Sequence, residues 1–500
     1  MELINKVIAF VFSVTVLSST LLGGGLLWSD NDLAVWRDRA VNGPYKSAGD
    51  AFDSLIPGEW DRIVTNKNTF TADPTADRMN TYDILQDGEY RDGQSYMPNH
   101  IKMLDAAFYA LVKEDATVAA AVKTEIMWHA EQAGGENVGW QVSPTQFMKT
   151  DNGSWPRAMW LVRMVSCADF IKDQFSGAEL TALNAWFSDW ANAYEYSINF
   201  TLSKDIFGNR TTRDYVNNVK STSPGYRGYS YMDSSGTNRW QVGTPARYYN
   251  NRRASIMQWV GLAGAWLDDA LLIDRSKLFF EEWIRCSVYP DGALGEFQRN
   301  STSSPNQGLL YLGSILESYV SVAEALRLTG DTSLYDYSTT GGLWQTECTT
   351  QPAKNVKLVV DTYFDLIFHN LAWYVDSSSV NEAYRIDATA NGKESIEDIW
   401  FAPMANRYWQ DANIKLAYMR DASGSAAYTS PFFSSGPVAP WGGHESSYSS
   451  CLFMFAEMEN VGTGPVTPPV TPPVTDGLLS NTQWQNLSIE LQAGQFSAEY

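Results

Sequence analysis

Between Ser29 and Val461 apolar residues return every three or four positions, in runs several turns long separated by polar loops. That is the period of an α-helix burying one face, and it restricts the chain to packed helices. Ser176-Gly177-Ala178-Glu179 is a capping-box pattern; it opens a stripe through Leu180, Leu183, Phe187, Trp190 and Tyr194. Ser154-Trp155-Pro156 opens another through Met159, Val162, Val165 and Ala168. A third runs from Leu309 to Leu328, with Gly330 as its C-cap. Further stripes cover 101–113, 117–130, 254–272, 275–286, 358–375, 411–419 and 446–458. Helices of this length joined by loops make αα-hairpins. The absence of a fixed short repeat argues against an open solenoid. The expected fold is all-α: an (α/α) toroid of helical hairpins, with the Gly/Tyr-rich loops at 199–247 and 424–446 lining one mouth.

The ends of the chain read differently. Lys6 followed by the apolar run Val7–Leu22 resembles a secretory leader. With no clear small-residue cleavage pattern after it, residues 1–28 are read as a signal peptide or an N-terminal membrane anchor. The body, residues 29–461, is then secreted or periplasmic. Residues 462–476 hold the repeat Val466-Thr467-Pro468-Pro469-Val470-Thr471-Pro472-Pro473, an extended Pro/Thr-rich linker. Residues 477–500 are too few for a domain and read as the start of a small β module. Cys167, Cys286, Cys348 and Cys451 form no CxxC pair and suggest neither a zinc site nor a disulfide framework.

The net charge of −21 excludes nucleic acid as a partner unless charge is locally inverted. One stretch is inverted. Between Ile206 and Arg253 there are eight cations (Arg210, Arg213, Lys220, Arg227, Arg239, Arg247, Arg252, Arg253) and two acids, Asp214 and Asp233. This marks an anion site or a solvated basic loop. The 19 Trp are numerous enough to include sugar-stacking rings, although most belong in the core.

Two segments carry residues suited to one chemistry. The first is Ala246-Arg247-Tyr248-Tyr249-Asn250-Asn251-Arg252-Arg253, just before a helix. The second runs from Tyr289 through Asp291-Gly292, Glu296 and Arg299 to Tyr311 on the next helix. Breaking a 4-linked uronic acid chain by β-elimination removes the C5 proton and expels O4. The C5 proton becomes acidic only when donors neutralise the adjacent carboxylate. A side chain must also move the proton, which a tyrosine beside cations can do. Asn250, Asn251 and Arg252 supply donors; Arg299 and Tyr311 supply the cation and the phenol.

The ordered set Asn250-Asn251, Asp291-Gly292, Glu296, Arg299, Tyr311 and Val322-Ala323-Glu324 resembles the core of the α/α-toroid alginate lyases. The longer loop with Pro305 and Gly308 looks closer to polysaccharide lyase family thirty-eight, which acts on uronate polymers including alginate and glucuronan. The likeness spans Arg247 to Leu328. It implies that Asn251 neutralises the carboxylate, Arg299 polarises the tyrosine and Tyr311 transfers the proton. Related enzymes often have His directly after the Asn pair, where this chain has Arg252. Tyr311 would then act as both base and acid, which favours substrates with the C5 proton and O4 on one face, such as β-mannuronate.

Further substrate-binding candidates are His100, Trp140, Arg157, Trp240, Arg247, Arg253 and His444. His129 and His369 sit in apolar stripes and read as core. No metal or other cofactor is expected, and the expected partner is an acidic polysaccharide met by a monomer. Membrane contact is expected only through an N-terminal anchor. Two other readings stay open. A toroidal glycoside hydrolase would use paired carboxylates such as Asp291 and Glu296 with Glu281 or Glu282. A non-catalytic glycan-binding surface protein would keep the aromatics without needing Tyr311 beside Arg299.

Overall fold

The computed structural model describes residues 24–42, 59–75, 90–131, 151–207, 230–232, 238–240, 249–288, 292, 307–340, 353–369, 401–412, 414–415 and 451–455. These residues are mostly helical. The helices are α1 (Asp30–Arg39), α2 (Glu59–Ala72), α3 (Tyr90–Lys113), α4 (Ala116–Glu131), α5 (Asp151–Phe170), α6 (Gly177–Phe207), α7 (Asn251–Leu267), α8 (Ala270–Ser287), α9 (Gln307–Leu328), α10 (Ser333–Asp336), α11 (Val356–His369), α12 (Phe401–Trp409) and α13 (Cys451–Phe455). Strand structure among the described residues is confined to two short antiparallel pairs. These are β1 (Ser230–Met232) with β2 (Asn238–Trp240), and β3 (Ser338–Thr339) with β4 (Lys354–Asn355).

Local signals act as their chemistry dictates. Glu179 Oε2 accepts from Ser176 N at 2.7 Å while Ser176 Oγ accepts from Glu179 N at 3.3 Å, so the capping box opens α6. Leu183, Phe187, Trp190 and Tyr194 are buried, with Leu180 packed at the core's edge. Gly330, at φ +96°, follows α9, and its N–H bonds to Arg327 O at 2.9 Å.

Three expectations need correction. The stripe 254–272 is two helices: Asp268 takes the left-handed conformation (φ 56°, ψ 38°), and Asp269 caps α8 by accepting from Leu271 N and Leu272 N. Leu267, Leu271 and Leu272 keep the apolar rhythm across that break and hide it. The helix assigned to start at Ser154-Trp155-Pro156 begins at Asp151, a carboxylate favoured in a first turn. The supposed loop at 199–247 is helical through Phe207, because Tyr194, Ile198, Leu202 and Ile206 continue the period; it also contains the β1–β2 hairpin.

The helices pack as antiparallel hairpins. In α7–α8, Tyr249 meets Phe279 and Glu282, Ser276 Oγ donates to Met257 O at 2.8 Å, and Gly264 faces Leu272 and Ile273. Neighbour contacts then run α2 to α3, α3 to α5, α5 to α7, α7 to α9, α9 to α12, α12 to α13, and α13 back to α1 and α2. Further contacts join α4 to α3 and α5, α6 to α4, α7 and α8, and α8 to α7.

Contacts between the two ends of this series are buried. Trp36 Nε1 donates to Met454 O and Arg39 Nη1 to Phe453 O, each at 2.6 Å. Arg407 Nη2 bonds Asp32 Oδ2 at 2.7 Å, and its Nη1 lies 3.1 Å from Glu324 Oε1. Arg327 holds Glu324 from the other side through two bonds of 2.8 Å. Burial alone would raise the Glu324 carboxyl; Arg407 and Arg327 outweigh it and hold it below its ordinary value. Residues 24–28, at the end of the expected leader, pack on the body: Leu27 and Trp28 are buried, and Arg407 Nη1 donates to Leu27 O at 3.0 Å. Among the described residues no helix is long and apolar enough to cross a membrane. Residues 1–23, the linker 462–476 and the tail 477–500 lie outside the described residues.

Candidate active site

The placement of α7 against α9 decides which candidate residues share one end of the molecule. Gln258 Nε2 in α7 donates to Ser321 Oγ of α9 at 3.1 Å, and Ser318 Oγ donates to Gln258 Oε1 at 3.3 Å. One turn further along α7, a Cβ on Gly261 would lie 2.9 Å from both methyls of Val322. Contacts advance in the same direction along both chains, so α7 and α9 run parallel. Asn251 lies seven residues before Gln258, and Tyr311 seven before Ser318. Seven residues span about 10 Å of helix. The first residue of α7 and the opening turns of α9 are therefore level, on helices whose axes pack ~8–10 Å apart.

The other candidate helices share this direction. Phe108 meets Phe170 with ring centroids 5.3 Å apart, and Asp105 acts electrostatically on Arg163, so α3 and α5 advance together. α6 folds back from α5 through a short 3-10 turn. It then runs against α7: Asn184 accepts from Trp266 Nε1 at 2.7 Å, and Phe187 meets both Trp259 and Trp266. Hence α3, α5, α7 and α9 point the same way. His100 precedes Asp105 by five residues and Arg157 precedes Arg163 by six, so their backbones lie toward the same end as Asn251 and Tyr311.

At that end Asn250 is the N-cap of α7; its Oδ1 accepts from Arg253 N at 3.0 Å. Its carbonyl oxygen therefore serves the helix. Asn251 is completely buried, and Arg253 nearly so, while Arg252 and Tyr311 are half-buried. The first turn of α7 holds no acid. The backbone N–H groups of this turn, at the positive end of the helix dipole, suit an anion, and Arg252 and Arg253 belong to the same turn. Tyr249 fixes the approach to this turn: its ring packs on Phe279 and its hydroxyl donates to Glu282 Oε2 at 3.2 Å.

Beneath the site lies a buried polar layer that periodicity concealed. Asp105 accepts from Arg62 at 3.1 Å and from Asn66 at 2.6 Å. Burial pulls the Arg163 guanidinium down to about 10, against the opposing pull of Glu317, so it remains a cation at neutral pH. Arg163 sits between the core residues Val162 and Met164, and Gln258 between Met257 and Trp259. A polar residue inside an apolar run was the available signal. His129 is buried against Trp160, and Cys167 is a buried free thiol. Glu324, part of the family-like pattern, serves the buried ion-pair network.

Arg299, Trp140, Arg247 and His444 lie outside the described residues, as do Asp291 and Glu296 and the side chains of His100, Arg157 and Trp240. Gly292, in the segment leading toward Arg299, is described. At φ +83° it sits against Thr362 of α11, leaving no room for a Cβ. No cluster able to hold a metal occurs among the described residues. No family model and no curated protein matches this chain.

Proposed function

We propose that the chain is a polysaccharide lyase that cleaves 4-linked uronic acid polymers, polymannuronate or glucuronan, by β-elimination. The observation that carries this reading is the parallel register of α7 and α9, which brings Asn251 and Tyr311 to one end beside Arg252 and Arg253. The fold we propose is an (α/α) toroid: the series of helix contacts returns from α13 to α1 and α2, and α3, α5, α7 and α9 run parallel.

In the proposed reaction Asn251 and the arginines beside it bind the carboxylate next to C5 and stabilise the charge that develops there. Tyr311, with Arg299 as the cation proposed to polarise it, acts as the base that takes the C5 proton. The electron pair forms the C4=C5 bond, the C4–O4 bond breaks, and the new phenol returns its proton to O4. One residue serving both steps requires both atoms on one face of the sugar. The leader-like N-terminus supports a site of action outside the cytoplasm, on polymer rather than nucleic acid.

The test is ultraviolet absorbance with polymannuronate, glucuronan, polyguluronate and a neutral glucan. Elimination conjugates the new double bond to the carboxylate and produces a chromophore; hydrolysis gives reducing ends without it. Absorbance should rise with a uronate polymer and not with the neutral glucan. Reducing ends without absorbance would make the protein a hydrolase instead.

A further inference from the structure

We infer that Gln258, with Ser318 and Ser321, is a register lock between α7 and α9, and so a positioning residue for Tyr311 relative to Asn251. The inference rests on the lyase reading and adds to it the element that sets its geometry.

Gln258, Ser318 and Ser321 are all buried. The two serines are three residues apart on α9 and present hydroxyls on one face. The Gln258 amide spans both, donating to one and accepting from the other. Ser321 Oγ also donates to Glu317 O at 2.7 Å, which fixes its rotamer and leaves a lone pair toward the amide. The set is directional at each bond.

The surrounding contacts are of another kind. Gly261 against Val322, and the apolar neighbours Met257, Trp259 and Leu262, hold α7 in a closely packed interior. Apolar burial is non-directional; it fixes separation far better than register. Sliding α9 by one residue moves it about 1.5 Å and turns its face by about 100°. Such a slide breaks both bonds of the buried amide and leaves its polar atoms unsatisfied. Asn251 and Tyr311 each lie two turns toward the helix N-termini from this lock. Tyr311 lies in the second turn of α9, so its position depends on how α9 is held. A misplacement of ~1 Å at reacting atoms costs about a hundredfold in rate.

The experiment is steady-state kinetics on polymannuronate and glucuronan with Gln258→Leu, Ser321→Ala and the double variant, alongside urea unfolding of each. Leu keeps the bulk and removes both bonds, and Ser321 retains its bond to Glu317 O. A positioning role predicts that kcat falls by about tenfold or more while KM stays within about twofold. It further predicts that the double variant is no slower than the slower single one, because both act on one linkage. An unchanged kcat in a folded Gln258→Leu protein overturns the lock while leaving the lyase reading intact. A loss residing in KM overturns the lock as well. Wild-type protein that forms no unsaturated product from any uronate polymer overturns the lyase reading, and the positioning role falls with it. Should Gln258→Leu fail to fold, Ser321→Ala carries the same kcat test with one bond removed.

Discussion

Asp169, in the last turn of α5, anchors the N-terminal segment through one oxygen: Leu26 N donates to Oδ2 at 2.9 Å and Trp28 Nε1 donates to the same atom at 2.8 Å. Burial pushes its carboxyl up to about 6 from an ordinary 3.8, against the lowering by those two bonds and by Lys172. The folded value is raised, so ionisation opposes folding. Below about pH 4 the group is protonated in both states and contributes nothing. As pH rises toward 6 the unfolded chain releases the proton while the folded chain keeps it, and stability falls. Above 6 the loss is complete, and about 2 pH units of separation correspond to about 3 kcal/mol. Asp169→Asn keeps a carbonyl oxygen for both donors, resembles the neutral acid in shape, and cannot ionise. The variant should match wild type in urea unfolding near pH 4 and exceed it by up to about 3 kcal/mol near pH 8. A variant less stable than wild type at pH 8, or a difference that does not change with pH, would mean that the Asp169 carboxyl is not raised by burial.

Three further outcomes follow from buried charge and backbone geometry. Glu324→Ala leaves Arg327 and Arg407 buried without their shared carboxylate and should cost about 3–5 kcal/mol in chemical unfolding. Because the Glu324 carboxyl is held below its ordinary 4.5, the stability it provides should be intact above that pH and lost as pH falls through the lowered folded value. Gly292→Ala should cost more than Gly330→Ala. Both have positive φ, about 1–2 kcal/mol for an L residue, but a Cβ at Gly292 also runs into Thr362, whereas Gly330 has open space. Comparing unfolding midpoints of the two variants measures that difference.

Helix existence was legible in the sequence wherever one face is apolar and a cap marks the end, as at Ser176–Glu179 and Gly330. Boundaries failed where the apolar rhythm outlasts the backbone, as across Asp268, whose left-handed cap interrupts a stripe that Leu267, Leu271 and Leu272 continue. Pairing of distant elements was not legible. Nothing local to Asp32 indicates Arg407, and nothing local to Asp169 indicates Trp28, because such contacts depend on which helices become neighbours. Of the candidate site, Asn250 could be read as a helix cap from its place before an apolar run. The parallel register linking Asn251 to Tyr311 could not, since it depends on Gln258, a polar residue within a core stripe.

We propose that Tyr311 moves the proton during elimination. Tyr311→Phe removes one oxygen from a half-buried ring and leaves its packing in place. Ultraviolet absorbance of purified wild type and variant on polymannuronate and glucuronan, with unfolding midpoints to confirm the fold, measures that role. Proton transfer by Tyr311 predicts unsaturated product from wild type and none above background from an equally stable variant. A folded Tyr311→Phe protein that releases the chromophore at the wild-type rate would contradict it.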